Sequence, residues 1–198
     1  SHLAWRSVAR EQLRLYEEAC AHVRTGRPPR VDLPGSRTSL APVEVVVVAY
    51  GRPDLLGEAL APLTELHVVI VDNSSSAQVR AIAERSGATY VDPGRNLGFA
   101  AGVNEGLRHR RHVDADILLL NPDARIESAD IAALQRRLLQ DPTLASVAPS
   151  QHDAVGVPAK VTWPLPRPAW SWLWSIGLGR LAGGTSYVVG SILLIRGA

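Results

Sequence analysis

Three apolar runs constrain the fold of this chain more than anything else in it: VEVVVVA at 43–49, HVVIVD at 67–72 and DILLL at 116–120. Each is rich in branched aliphatic side chains and stops abruptly at polar or turn-forming residues. A strand that is apolar on both faces has to be covered on both, as in parallel sheets packed between helices. The stretches between the runs carry the helical period. Pro53 stands where a helix would begin, with Leu55, Leu56, Ala59 and Leu60 on one side. Residues 73–76 (NSSS) offer caps for a helix over 77–85, which Gly87 ends. Further helices are expected over 98–111 and 128–140, the second capped by Ser128 with Ile131, Leu134 and Leu138 inward. Short strands at 89–92 and 144–149 and a last strand at 186–196 complete the alternation. The pattern predicts an α/β domain over 43–198, a mostly parallel sheet flanked by helices.

Ahead of it, Trp5, Val8, Leu15, Tyr16, Ala19 and Val23 recur on one helical face, so residues 1–42 read as an amphipathic helical extension and a Pro-rich linker. The net charge of +2 is a slight basic lean, concentrated in this extension. It favours anionic small partners such as phosphates and is too small to imply nucleic acid. Cys20 is the only cysteine, which excludes an internal disulfide and a zinc site built on several cysteines of this chain. No apolar run approaches the roughly 18 residues that cross a bilayer. A cytoplasmic setting is expected, with peripheral membrane contact left open. The chain has no methionine, begins Ser1-His2 and stops just after a strand, so it reads as a fragment incomplete at its C-terminus.

In an open α/β sheet ligands bind beyond the carboxyl ends of the strands. Tyr50, Gly51 and Arg52 follow the first strand, Asp72 and Asn73 end the second, Arg95 and Asn96 follow the third, and Asn121 and Asp123 follow the fourth. All should share one edge. Asp72 can accept hydrogen bonds from a nucleoside beside Tyr50, or it can cap the next helix. The segment GRNLGFAAGVNEG (94–106) is rich in small residues. Its glycines serve either close packing of helix on sheet or the approach of an anion to a helix N-terminus, where Arg95 would add charge. Asn121-Pro122-Asp123 is either a plain turn or a rigid carboxylate mount for a divalent cation shared with a diphosphate. No dinucleotide-binding or P-loop fingerprint is present, nor a GxSxG elbow. The tryptophans of 163–174 could stack on sugars, lie at a membrane interface or fill a core.

In this order VVVVAYGRP, VVIVDNSS, GRNLGFAAGVNEGL and LLLNPDARI resemble the inverting glycosyltransferases of family two, of the GT-A fold, and in particular their bacterial rhamnosyltransferase-like branch. The resemblance runs from about Val43 to Arg196. It implies transfer of a rhamnose-like or other hexose, with inversion, from a dTDP- or UDP-linked donor to a glycan or lipid-linked acceptor in cell-envelope polysaccharide assembly. It implies a donor site of Ala49, Tyr50, Arg52, Asp72, Asn73, Arg95, Asn96, Gly98, Phe99, Asn104, Asn121 and Asp123. Within it, Asp123 would hold Mg2+ or Mn2+, and Asn121 stands where the family's DxD-type motif has its first aspartate. The catalytic base would sit in an acidic motif beyond residue 196, so no residue here is assigned that role. A non-catalytic GT-A-like nucleotide- or glycan-binding domain is the alternative, and a sugar nucleotidyltransferase lacks its Gly-rich activating loop.

Overall fold

The computed structural model describes residues 37, 39–153, 155–159, 161–164, 186–188 and 191–197. The amphipathic helix expected near the N-terminus and most of the Trp-rich stretch lie outside these residues. The described elements are β1 (Val43–Ala49), α1 (Pro53–Leu60), a 3-10 turn (Ala61–Leu63), β2 (His67–Asp72), α2 (Ala77–Ser86), β3 (Thr89–Val91) and α3 (Phe99–Arg108). They continue with β4 (Asp116–Leu120), α4 (Ser128–Gln140), β5 (Ser146–Val147), β6 (Gln151–His152), β7 (Pro158–Ala159), β8 (Thr162–Pro164), β9 (Ser186–Val188) and β10 (Ile192–Ile195). The main sheet has the order β3-β2-β1-β4-β10-β5. Its first four strands are parallel, while β10 runs antiparallel to both β4 and β5. The mostly parallel α/β architecture expected from the sequence is therefore present.

Alternation along the strands distributes the core between two layers. Val45, Val47, Leu118 and Leu120 face Leu56, Leu60, Val79, Ala83, Ile131, Leu134 and Leu138, which come from α1, α2 and α4. Val46, Ile117 and Leu119 point to the other face, where Val103 and Leu107 of α3 cover them. Full burial of one such side chain stabilises by about 1.5–3 kcal/mol, so each face supplies a real driving force for docking its helices.

Local signals explain most boundaries. Pro53 occupies the first turn of α1, Ser76 Oγ accepts from Val79 N at 3.4 Å at the start of α2, and Gly87, at φ 70°, closes it. Three expectations need correction. Glu127, not Ser128, precedes α4, and the Ser128 hydroxyl instead donates to the Pro62 carbonyl. The strand expected at 144–149 is reduced to Ser146–Val147, because only those two residues find a partner, on β10. The single strand expected at 186–196 is two strands: β9 pairs with β8, and β10 enters the main sheet. No described helix is long and apolar enough to cross a membrane.

Close approach of α3 to the sheet answers one of the questions raised by 94–106. A Cβ on Gly102 would meet Val48 Cγ1 at 2.9 Å, and one on Gly106 would meet Val46 Cγ1 at 2.5 Å. Of the two uses considered for these glycines, packing is the one displayed. Gly106→Val is expected to lower stability by about 1–3 kcal/mol through overpacking, a fall in Tm of about 2–12 °C. Gly57→Ala is its control, since nothing lies within 4 Å of a Cβ there and the helix gains about 1 kcal/mol. Thermal melts of the pair should move in opposite directions; equal shifts would sink the packing argument.

Candidate active site

Register places the four strand ends together. Ala49 lies opposite Asp72, and Val47 opposite Leu120, so Tyr50, Asn73 and Asn121 leave the sheet side by side. The chain proceeds outward from β1 in both directions, to β2 and β3 on one side and to β4 on the other, which makes the β1–β4 gap a switch point. Because β10 is antiparallel, its N-terminal end reaches the same edge. There the Asn121 amide donates to the Ser191 carbonyl at 2.9 Å.

The β2 end is built around Asp72, which is fully buried. Oδ1 accepts from the Ser74 amide at 2.9 Å and the Ser74 hydroxyl at 2.6 Å. Oδ2 accepts from the Ser76 amide at 2.6 Å and the Tyr90 hydroxyl at 2.9 Å. Four donors occupy the carboxylate in this conformation, so Asp72 shapes the turn into α2. Burial, then the bond to Asp72, pushes the Tyr90 hydroxyl up to about 12. Tyr90 stays a neutral donor throughout the physiological range, and Arg80 stacks over its ring at 4.6 Å.

Asn73 is also buried and works on the next loop. Its Nδ2 donates to the Gly98 carbonyl and its Oδ1 accepts from the Leu97 amide, both at 3.2 Å, while its own amide donates to the Ala49 carbonyl at 2.9 Å. One residue, through its backbone amide and its side chain, thus ties the end of β1 and the end of β2 to the entrance of α3. Ala49 is buried and contributes only backbone to the edge. Asn96 Oδ1 accepts from the Gly98 amide at 2.8 Å, and Gly98, at φ 76°, opens α3 without a side-chain cap. Among the described residues no side chain caps the first amides of that helix. Asp92, which the sequence did not single out, holds the preceding turn by accepting from the Gly94 amide and the Ser75 hydroxyl, both at 2.8 Å. Those bonds, the Gly94 amide first, hold its carboxyl below the usual range.

The exposed groups along this edge are different in kind. Tyr50 is 63% and Phe99 50% exposed, an uneconomical placement for two large aromatic side chains unless something stacks on them. Arg95, Asn96, Asn104 and Asp123 are exposed as well. Arg52 pairs with Asp54 through two hydrogen bonds of 3.0 and 2.9 Å, and these, with a smaller contribution from the charge of Asp123, raise its pKa. Arg52 and Asp123 thus share one electrostatic neighbourhood, although their elements are far apart in sequence.

Asp123 occupies a turn closed by the Ala124 amide on the Asn121 carbonyl at 3.1 Å. It lines an open cleft of about 810 Å³ together with Arg125, Asp130, the segment 150–153, Ser191 and Ile192. Tyr50, Asp72, Arg95 and Phe99 do not line this cleft; they lie along the edge toward α3. The Ser150–Asp153 wall escaped the sequence reading, because β6 and β7 are two residues each and carry no periodicity. Among the described residues no three His, Cys, Asp or Glu side chains converge as a metal cage. The residues fit a divalent cation only as Asp123 fits one, as a single hard oxygen ligand that shares the ion with phosphate oxygens.

Comparison with known proteins identifies the family and the fold. Residues 44–192 match the family described as Glycosyl transferase family 2. The chain is 28% identical over 145 residues to the low-salt glycan biosynthesis hexosyltransferase Agl10 of Haloferax volcanii, covering 72% of this chain and 46% of that protein. It therefore spans about half the length of that curated relative. It also resembles, at a TM-score of 0.53 and 16% identity, the crystal structure of glucosyl-3-phosphoglycerate synthase from Mycobacterium tuberculosis in complex with Mn2+, UDP and glucosyl-3-phosphoglycerate. That likeness covers 79% of this chain and 57% of the other and concerns the fold, which is GT-A. With the family match extending from β1 into β10, the chain belongs to glycosyl transferase family 2.

Proposed function

We propose that this domain is the donor-binding part of a metal-dependent inverting glycosyltransferase, which moves a hexose, rhamnose-like or other, from a UDP- or dTDP-linked donor to a glycan or lipid-linked acceptor. The observation that carries the proposal is the exposed Asp123 at the switch-point edge, between exposed aromatic and cationic groups on one side and a polar cleft on the other.

Each part of a nucleotide sugar has a matching group. Tyr50 and Phe99 offer faces to the base, within a frame that Asp72 and Asn73 hold rigid. Arg95, Arg52 and the uncapped start of α3 offer positive potential to the diphosphate. Asn96 and Asn104 border that pocket, and Asn121 adds an amide beside Asp123. A bound Mg2+ or Mn2+ would neutralise charge on the leaving diphosphate. In the transfer the acceptor hydroxyl oxygen forms a bond to the anomeric carbon as the bond to the diphosphate breaks, and the hydroxyl proton passes to a base. The role of this chain's residues is to orient the leaving group so that attack comes from the opposite face.

Thermal shift with UDP and dTDP, each with and without Mn2+, tests the proposal. At ligand about 100-fold above Kd the stabilisation is about 2.7 kcal/mol, a rise in Tm of about 5–11 °C. One of the two nucleotides should reach it, and more readily with metal. A protein that neither nucleotide stabilises under any condition has no donor site.

A further inference from the structure

One residue that lines the same cleft as Asp123 carries a polar group that the fold leaves unsatisfied. Gln151, the first residue of β6, pairs with Ala159 through the β6–β7 ladder, so its backbone position is fixed. Gln151 is among the residues that line the cleft, while its side-chain amide nitrogen is shielded from solvent and, among the described residues, has no hydrogen-bond partner. A buried N–H without an acceptor is one of the more costly features a folded protein keeps, and native structures rarely keep it without reason. The hairpin beside it is otherwise carefully satisfied. Asp153 Oδ1 accepts from the Val155 amide at 3.0 Å and the Val157 amide at 2.9 Å, and the Asp153 amide donates to the Val157 carbonyl at 2.9 Å. The unpaired group is thus an exception within an ordered element.

We infer that Gln151 is a sugar-recognition residue, its side-chain amide bonding a ring hydroxyl of a glycosyl group seated in this cleft. The chemistry of the wall narrows the ligand class. A carboxamide both donates and accepts, as a hydroxyl does, and rotation about its terminal torsion is soft enough to bring either end to the ligand. The other polar groups of the lining are carboxylates, a hydroxyl, an imidazole and one guanidinium, from Asp123, Asp130, Asp153, Ser150, His152 and Arg125, the last engaged by Glu127 at 3.0 Å, a mix that suits a neutral polyol better than a second anion. Asp130 and Asp153 would repel a phosphate. The hydroxyl could belong to the sugar of the donor or to the acceptor sugar, since a cleft opening beside the proposed metal site can receive either. The inference rests on the glycosyltransferase reading for the donor case only, because a glycoside alone can test the acceptor case.

The experiment compares wild type with Gln151→Leu, which keeps the volume and removes both polar ends. Binding of UDP and UDP-glucose, and of dTDP and dTDP-glucose, is measured with Mn2+ by calorimetry. Binding of methyl α-glucoside and methyl α-mannoside is followed by saturation-transfer NMR. If the donor sugar is the partner, Gln151→Leu removes three- to tenfold from the affinity advantage of the nucleotide sugar over the bare diphosphate, as loss of one neutral hydrogen bond does. If the acceptor sugar is the partner, that advantage is unchanged and the glycoside signal falls by at least half. Either result supports the inference. In both cases the Tm of the ligand-free variant should be no lower than wild type, since the unpaired donor has been removed. A Tm several degrees lower marks Gln151 as structural and overturns the inference. It is equally overturned if both sugar readouts are unchanged, or if wild type shows no sugar-dependent binding at all. Absence of nucleotide binding with a Gln151-dependent glycoside signal would sink the donor reading and leave this one standing.

Discussion

Asp123→Ala is expected to weaken binding of a nucleoside diphosphate in the presence of Mn2+ by about 10- to 100-fold, the usual consequence of disturbing a metal's immediate surroundings. Binding without metal should change by less than about twofold. The carboxylate is exposed, and the turn that carries it is closed by backbone bonds, from Asn121 to Ser191 and from Ala124 to Asn121, that alanine leaves intact. Removal of an exposed side chain from such a turn alters stability by about 0.5 kcal/mol or less, so Tm should not move. This combination separates the two readings of Asn121-Pro122-Asp123. A plain turn would lose nothing in nucleotide binding with metal, and that result would remove Asp123 from the site. Because Asp123 is the single carboxylate proposed for the ion and no acid or histidine cage converges there among the described residues, no neighbour should compensate. Affinity for Mn2+ without nucleotide should be weak in wild type and variant alike, since most of the ligands would come from the diphosphate. Calorimetric titrations of UDP and dTDP, with and without Mn2+, read all of these outcomes.

Much of the fold was legible because its strands are buried on both faces. Val43–Ala49, His67–Asp72 and Asp116–Leu120 begin and end where the apolar runs do, and the polar residues that follow them share an edge. What could not be read depends on partners remote in sequence. Ser146–Val147 is a strand only because β10 lies beside it, and β10 runs antiparallel because of a connection that local pattern does not encode. The same limit applies to the site. Asp72 ends a strand and precedes three serines, which fits either a nucleoside contact or a cap; only the positions of Ser74, Ser76 and Tyr90 show where its lone pairs go. Gly102 and Gly106 announced a close approach without naming Val48 and Val46. Gln151 gave no local signal, since its significance lies in a missing partner. Glu44 did give one: a carboxylate inside VEVVVVA is out of place in a buried strand, and the residues that justify it come from β2 and from beyond α3.

Glu44→Leu should be the most destabilising of these substitutions, by about 3–5 kcal/mol, which corresponds to a fall in Tm of about 6–20 °C. Glu44 is 1% exposed and sits at the amino-terminal end of β1, opposite to the proposed site. Its Oε1 accepts from the His112 amide at 2.6 Å and the His112 ring at 3.0 Å; its Oε2 accepts from the Arg111 amide at 2.8 Å and the His67 ring at 2.7 Å. The carboxylate thus anchors the segment that leads from α3 into β4 to the first two strands. His67 extends the chain through its other ring nitrogen to the Thr89 hydroxyl on β3, at 3.1 Å. Leucine would fill the space and leave the buried His67 ring and the Arg111 and His112 amides without the acceptor they have in wild type. The wild-type protein carries a pH signature of the same arrangement. Burial on its own would raise the pKa of Glu44, but the bonds from His67, from the Arg111 and His112 amides and from the His112 ring outweigh it, and the value falls below the ordinary 4.5. With the folded value depressed, the stabilisation is fully present above about pH 4.5 and is lost as pH falls through the lower folded value. The gap in Tm between wild type and Glu44→Leu should therefore be widest near neutrality and should narrow in acid, as wild type gives up the charged form that the variant never had. A gap that stays constant from pH 7 to pH 3 would mean that packing, not the carboxylate's hydrogen bonds, accounts for the loss.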